Sequence, residues 1–434
     1  MQPSPVQPIK GTRDFYPELM QTRQWLASKI IKVSEAFGYQ PYEGPYLEKL
    51  ELYAAKSGDE LVKEQAFCFE DRGGDFITLR PELTPTLARM VAQKQRQLAF
   101  PLRWYQFGPF WRYERPQRGR SREFFQWNID LLGVNSAIAD AEMICLCAAF
   151  FDSVGLTPDT TKIRINHRGL MDGELNQIGI APERKKDVFR LIDRRGKMNE
   201  AAWRKYAVDL GLENAQIDGI AELLLNSDLW KSSEGLVMIN EVVEAAGYEA
   251  YVEFTPTIIR GLDYYTGTVF EAMDIRGGRA LLGGGHYDNL VGDVGGEPLP
   301  GVGFAMGDVM ILVVLEDYGL LPDYKGQSDT VMVTIFDETT QSASLALASK
   351  LRSHGLKVCV YPECDKLVKQ FKYADRMGMT VALVLGPDEI ANGTIALKDL
   401  RSREQVDVSA DSVVETVQKY LVSRQSRNVL LGAR

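Results

Sequence analysis

Histidine and cysteine are scarce in this chain, three and five residues in 434. His167, His286 and His354 lie far apart and beside no cysteine pair, so a zinc site is not expected. Cys68, Cys145, Cys147, Cys359 and Cys364 are an odd set without CxxC spacing, which fits a reducing, cytoplasmic setting rather than a disulfide framework. Long apolar runs are missing too: the longest, Met143 to Phe151, has nine residues, against roughly 20 for a membrane-spanning helix. The opening MQPSPVQPIKGTRDFYPE has no basic flank leading into an apolar stretch, so no export signal is expected. No GxxxxGK[ST] phosphate loop occurs, Gly301, Gly303 and Gly307 miss the dinucleotide spacing, and no GxSxG elbow is present.

What is present is ordinary for a folded protein: 45% hydrophobic and 25% charged residues. The length suggests two or three domains, at about 150 residues each. A net charge of -9 argues against nonspecific coating of nucleic acid. Charge is nonetheless uneven. Five arginines face one acid between Arg112 and Arg122, so a polyanion would be gripped at specific places.

Apolar spacing predicts a helix over 20–37, strands over 76–79 and 103–107, and a buried helix over 138–154 that is apolar almost all round. From about 172 to 240 the texture turns charged and helix-forming, which reads as a small helical insertion. Strand-like, glycine-punctuated sequence returns at 253–273 and continues through Gly283, Gly284 and Gly285. The polar LPDYKGQS at 321–328 reads as a linker. Beyond it, strand patterns at 330–336, 357–361 and 381–385 alternate with helix patterns at 340–353 and 366–377, predicting a parallel α/β domain. A hairpin over 394–398 and 405–408 and a helix over 411–422 close the chain.

Three stretches carry possible chemistry. FWRYERPQRGRSREFFQ at 110–126 is a basic loop between strands; its guanidinium groups suit phosphates and Phe124 suits stacking on a base, although a solvated hairpin reads identically. In RGLDYYTGTVFE at 260–271 a cation and an acid stand among tyrosines, as in a polar pocket or a paired strand end. In GGGHYD at 283–288 the backbone can approach a ligand closely, as it would also in a plain turn.

Together with KGTRDFYP at 10–17, Pro45, TLRPELT at 78–84 and KQFKYADRMG at 369–378, these stretches resemble the histidyl-tRNA synthetases, which are class II aminoacyl-tRNA synthetases. The resemblance covers nearly the whole chain. It implies an α+β catalytic domain on a mixed, mainly antiparallel sheet over 1–325, with the helical insertion inside it. An α/β anticodon-binding domain over 329–425 and a tail over 426–434 would follow.

The implied reaction joins histidine to ATP as histidyl-adenylate, with Mg²⁺ accompanying ATP, and passes the acyl group to histidine tRNA. Pro45 stands in the motif that pairs class II domains, so a homodimer is implied. Arg112 matches the catalytic arginine on the α-phosphate and Arg260 the catalytic arginine opposite it. Arg120 matches the group at the γ-phosphate and Phe124 the ring on adenine. Glu82, Thr84, Gln126, Asp130, Arg260, Tyr264, Tyr265 and Tyr287 match the histidine pocket. Arg115 and Gln117 match the part of the loop that meets the tRNA acceptor end.

Three departures stand out. The family often has glutamate where Asp130 stands and usually glycine where Leu83 stands. Met310 occupies the place of an arginine that binds the γ-phosphate; losing one charge-assisted contact would cost about 1.5–3 kcal/mol of ATP binding. Met310 also favours a second reading, a catalytically silent paralog acting as a regulatory subunit. Such subunits lack the closing domain and typically the arginine at position 260, and this chain has both.

Overall fold

The computed structural model describes residues 6–54, 65–259, 265–324 and 328–431. Two compact units divide at Leu321 and Pro322.

The first unit opens with α1 (Pro17–Ala36), whose proline at the first turn costs no hydrogen bond, and which buries Leu26, Ile30 and Val33 on one stripe. Then come β1 (Gln40–Pro41), β2 (Leu47–Lys49), α2 (Leu50–Ala54), β3 (Phe67–Glu70), β4 (Phe76–Leu79) and α3 (Thr84–Lys94). Leu83 precedes α3 with φ -99°, an ordinary value for a branched residue, so glycine is not required there. Two ten-residue strands, β5 (Leu102–Trp111) and β6 (Glu123–Leu132), form a hairpin that carries the basic loop at its tip. They lead to α4 (Ala137–Ser153), capped by Ser136 and buried nearly all round as its composition requires.

After β7 (Thr161–His167) run α5 (Arg168–Gln177), α6 (Lys185–Asp193), α7 (Glu200–Asp209), α8 (Asn214–Leu223) and α9 (Glu234–Ala245). Helices α5 to α8 close over their own core, including Leu175, Leu191, Trp203 and Ile220. Leu236, Ile239 and Val243 of α9 instead join α4 in the main core. The unit ends with β8 (Val252–Phe254), β9 (Thr268–Asp274), β10 (Leu282–Tyr287), β11 (Gly301–Gly307) and α10 (Asp308–Asp317).

Eight strands form one sheet in the order β1-β5-β6-β11-β10-β9-β7-β8, antiparallel except for the β1–β5 and β7–β8 pairs. Its rear face packs on α4, with Trp127 against Phe150 and Phe304. On that rear face Asp140 of α4 accepts from Thr268 at 2.6 Å and lies 2.8 Å from His286 Nδ1, tying β9 and β10 to the helix. A smaller sheet, β2-β4-β3, stands apart.

The second unit has β12 (Ser328–Val333), α11 (Gln341–Ser353), β13 (Val358–Val360), α12 (Leu367–Arg376), β14 (Met379–Val384), α13 (Pro387–Asn392), β15 (Thr394–Asp399), β16 (Gln405–Ser409) and α14 (Val413–Leu431). Its sheet order is β13-β12-β14-β15-β16. The first three strands are parallel, as alternation with helices demands, while the hairpin strands β15 and β16 join antiparallel, so the sheet is mixed rather than wholly parallel. The last helix runs to Leu431, nine residues past the expected end.

Candidate active site

The front face of the large sheet is hollowed by glycine. A Cβ on Gly303 would collide with the Asp130 carboxylate and lie 2.6 Å from the Ile129 carbonyl; one on Gly285 would lie 2.8 Å from the Thr268 carbonyl and 2.9 Å from the Tyr265 ring. Strand alternation sends Gln126, Asn128 and Asp130 of β6 into this hollow and sends Trp127 and Ile129 to the core behind. Tyr287 of β10 faces the same way and donates to Asp130 Oδ1 at 2.8 Å. Burial pushes the Asp130 carboxyl up to about 7, against a smaller downward pull from that hydrogen bond. Tyr265 sits beside the Gly285 backbone. The histidine-pocket candidates Gln126, Asp130, Tyr265 and Tyr287 thus share one concave patch.

A second group lies at the end of the hairpin that carries the basic loop. Arg112 donates Nε to the Pro81 carbonyl at 2.9 Å, and its guanidinium stands 5.3 Å from the Phe124 ring centre. Phe124 stacks on Phe110 at 6.0 Å. Glu82 is buried beside Pro81, and Thr84 opens α3. Arg120 bonds Gln117 through the backbone and pairs with Glu114 at 3.0 Å, while Arg118 pairs with Asp317 at 2.6 Å. Arg115 and Gln117 are exposed on the loop. Met310 of α10 lies against Gly119 in the same loop, whose φ of +80° suits glycine. At the helix start Asp308 accepts from Arg13 at 2.8 Å and from the Phe125 N–H at 2.9 Å, joining the KGTRDFYP segment to β6. Arg260 and Tyr264 lie outside the described residues.

The structure also brings in residues that the sequence did not single out. Arg80 is fully buried: it donates to the carbonyls of Pro109 at 3.0 Å and Gly44 at 3.2 Å, pairs with Glu43, and lies over the rings of Tyr46 and Phe110. Gln106 donates to Glu43 at 3.2 Å. Buried atoms without a hydrogen-bond partner gather on the same side: Tyr42 OH, Arg80 Nη2, Gln106 Oε1, Gln126 Oε1 and Asn128 Nδ2. Such groups are costly unless a ligand or water completes them. The alternation along 102–111 and 123–132 is the signal that would have found Gln106 and Asn128.

The profile of the histidyl-tRNA synthetases matches residues 11–308, and that of the anticodon binding domain matches 330–420. The chain belongs to the histidyl-tRNA synthetase family. A histidine–tRNA ligase of Leptospira biflexa is 35% identical over 425 residues, covering 95% of this chain and 97% of that relative. The chloroplastic/mitochondrial histidine–tRNA ligase of Arabidopsis thaliana is 36% identical over 417 residues, 93% of this chain and 85% of the relative. Among solved structures, histidyl-tRNA synthetase from Nostoc superposes with a TM-score of 0.83 at 27% identity, covering 96% of this chain and all of that one. The fold is therefore that of the histidyl-tRNA synthetases, a mixed-sheet catalytic body followed by an anticodon-binding domain.

Proposed function

We propose that this chain activates histidine with ATP and transfers it to histidine tRNA, releasing pyrophosphate and then AMP. The observation that carries the reading is the buried Asp130–Tyr287 pair on a glycine-hollowed sheet whose hairpin also carries Arg112 against Phe124, in a chain that matches histidine–tRNA ligases over 95% of its length. A pocket ending in a buried carboxyl suits the N–H of an imidazole and leaves an unpaired polar group with an apolar side chain, which supplies discrimination.

The histidine carboxylate attacks the α-phosphate and pyrophosphate leaves. This step needs positioning and positive charge more than a covalent nucleophile. Arg112 would hold the α-phosphate on one side and Arg260 on the other, with Phe124 under adenine. Arg120 would reach the γ-phosphate after leaving Glu114. Glu82 and Thr84 would take the amino group, and Gln126, Asp130, Tyr264, Tyr265 and Tyr287 the side chain, with Arg260 near the carboxylate. Arg115 and Gln117 would meet the tRNA acceptor end, whose terminal adenosine hydroxyl then attacks the acyl carbonyl and expels AMP. Among the described residues no group of three or more His, Cys, Asp or Glu is arranged to hold a metal ion. Mg²⁺ enters as the counter-ion of ATP, as is usual for this ion.

Residues 1–325 would form the catalytic domain with the insertion at about 172–240, 329–425 the anticodon-binding domain and 426–434 a tail. A homodimer is favoured by exposed apolar side chains around the small sheet, Tyr46, Leu47, Phe69 and Phe76. No helix among the described residues is long and apolar enough to cross a membrane. The cysteines form no disulfide among those residues, and a cytoplasmic setting fits their pattern. The silent-paralog reading is not favoured, because the relatives matched along nearly the full length are ligases. Charging of a histidine-tRNA transcript tests the proposal: the wild type accumulates histidyl-tRNA and Arg112→Ala loses about a thousandfold in rate, in line with removal of one transition-state charge contact. Absence of charging by the wild type would overturn it.

A further inference from the structure

Ile259 and Tyr265 bracket the stretch that holds Arg260 and Tyr264, and both are fastened to the helical insertion. Ile259 is buried in the closed core of α5 to α8, with Met171, Leu175 and Ile192, and not in the main core behind the sheet. The turn leading to it is held by Asn166 of β7, whose buried Nδ2 donates to the carbonyls of Pro256 at 3.1 Å and Ile258 at 3.0 Å.

At the other side stands Arg168, the first residue of α5. His167 caps that helix by accepting from the Leu170 N–H at 3.3 Å. The Arg168 N–H, which has no carbonyl to reach within its own helix, donates to the Gly267 carbonyl at 3.0 Å. The guanidinium donates to the Tyr265 carbonyl and lies 5.7 Å from the ring centre of Phe189 in α6. One side chain thus spans from the second helix of the insertion to the backbone of a pocket residue. A charge-assisted contact of this kind is directional, so it fixes where the Tyr265 peptide stands. Small errors of placement at a reacting centre are expensive.

We propose that Arg168 is a positioning residue for histidine activation: it ties the Tyr265 end of this stretch to the helical insertion, as Ile259 ties the other end, so that the insertion sets the place of the histidine-specific groups. The proposal rests on the reading of this stretch as part of the active site. Arg168 itself meets no reacting atom in that scheme. The ATP-side groups stand elsewhere, Phe124 on β6 and Arg112 directly after β5, so a disturbance at Arg168 falls on histidine and on the chemical step.

Histidine-dependent ATP–pyrophosphate exchange by the full chain tests this with three variants. Arg168→Met removes the donors and keeps an unbranched stem; kcat should fall about tenfold, the effect of one lost hydrogen bond from a charged group, with a raised KM for histidine and an unchanged KM for ATP. Arg168→Lys keeps a cationic donor and should lose only about threefold. Phe189→Leu, which alters the insertion alone, should also lower kcat, by about twofold to fivefold, and its effect should largely vanish in the Arg168→Met background. An unchanged kcat in Arg168→Met would overturn the proposal, as would equal rises in both KM values or equal losses in the methionine and lysine variants, which mark a merely structural role. No effect of Phe189→Leu, or full additivity in the double variant, would overturn the link to the insertion. Failure of the wild type to exchange with histidine would remove the reading of the site itself, and the proposal with it.

Discussion

Replacing Asp130 by asparagine should stabilise the first unit at alkaline pH while weakening histidine binding. The carboxyl is moved by burial from 3.8 to about 7 in the folded chain. Between those values the folded state holds a proton that the unfolded state has released, so stability falls as pH rises through this window. The penalty is absent near pH 4, grows towards pH 7 and is complete above it. About three pH units correspond to a ceiling of about 4 kcal/mol; an effective interior dielectric above the dry-protein value brings the expected gain to about 2 kcal/mol. Asparagine matches the shape and still accepts from Tyr287, so the gain is not offset by a cavity.

Urea unfolding followed by tryptophan fluorescence reads this selectively, because all six tryptophans, at 25, 104, 111, 127, 203 and 230, belong to the first unit. With a slope of about 3 kcal/mol per molar, the midpoint at pH 8 should rise by about 0.7 M and that at pH 4.5 far less. In the same variant the KM for histidine should rise by tenfold or more, since hydrogen bonds to charged groups contribute about 1.5–3 kcal/mol. A midpoint gain that is equal at both pH values, or a loss at pH 8, would refute the burial argument.

The other expectations follow from contacts of the same hollow. Gly303→Ala should lower stability by about 2 kcal/mol or more and raise the KM for histidine, because the new methyl meets the Ile129 backbone at 2.6 Å and the Asp130 carboxylate; urea midpoints and exchange kinetics check both effects. Arg80→Met should cost about 3 kcal/mol, since the carbonyls of Pro109 and Gly44 lose a fully buried partner; an unchanged urea midpoint would refute this. Arg112→Ala should slow charging about a thousandfold with an unchanged unfolding midpoint, since the side chain makes one backbone hydrogen bond and packs beside an aromatic ring; a midpoint that falls sharply would mark it as structural.

Sequence spacing was a good guide wherever one physical signal dominated. The helix over 138–154 and the alternation beyond 329 were legible because apolar periodicity reports burial directly. Parallel strands β12 to β14 followed from alternation with helices, but the antiparallel addition of β15 and β16 leaves the single-strand pattern unchanged and showed only as a hairpin signal. The end of α14 was missed because the charged and polar run Ser423 to Asn428 interrupts the apolar spacing. At the site, Arg112 and Tyr287 stand in motifs and were named from them, whereas Gln106, outside any motif, and Arg80, within TLRPELT, act through partners distant in sequence. Met310 read as a lost charge; in the fold its side chain lies against Gly119 of the basic loop, a contact that spacing alone cannot reveal.

The central claim is that the chain makes histidyl-adenylate with methionine at position 310. Amino-acid-dependent ATP–pyrophosphate exchange, run on the purified chain with each amino acid in turn and with Met310→Arg in parallel, tests it most directly. Exchange with histidine alone, in the wild type as in the variant, is the predicted result. No exchange by the wild type, with recovery in Met310→Arg, would contradict the account and make the silent paralog the correct reading.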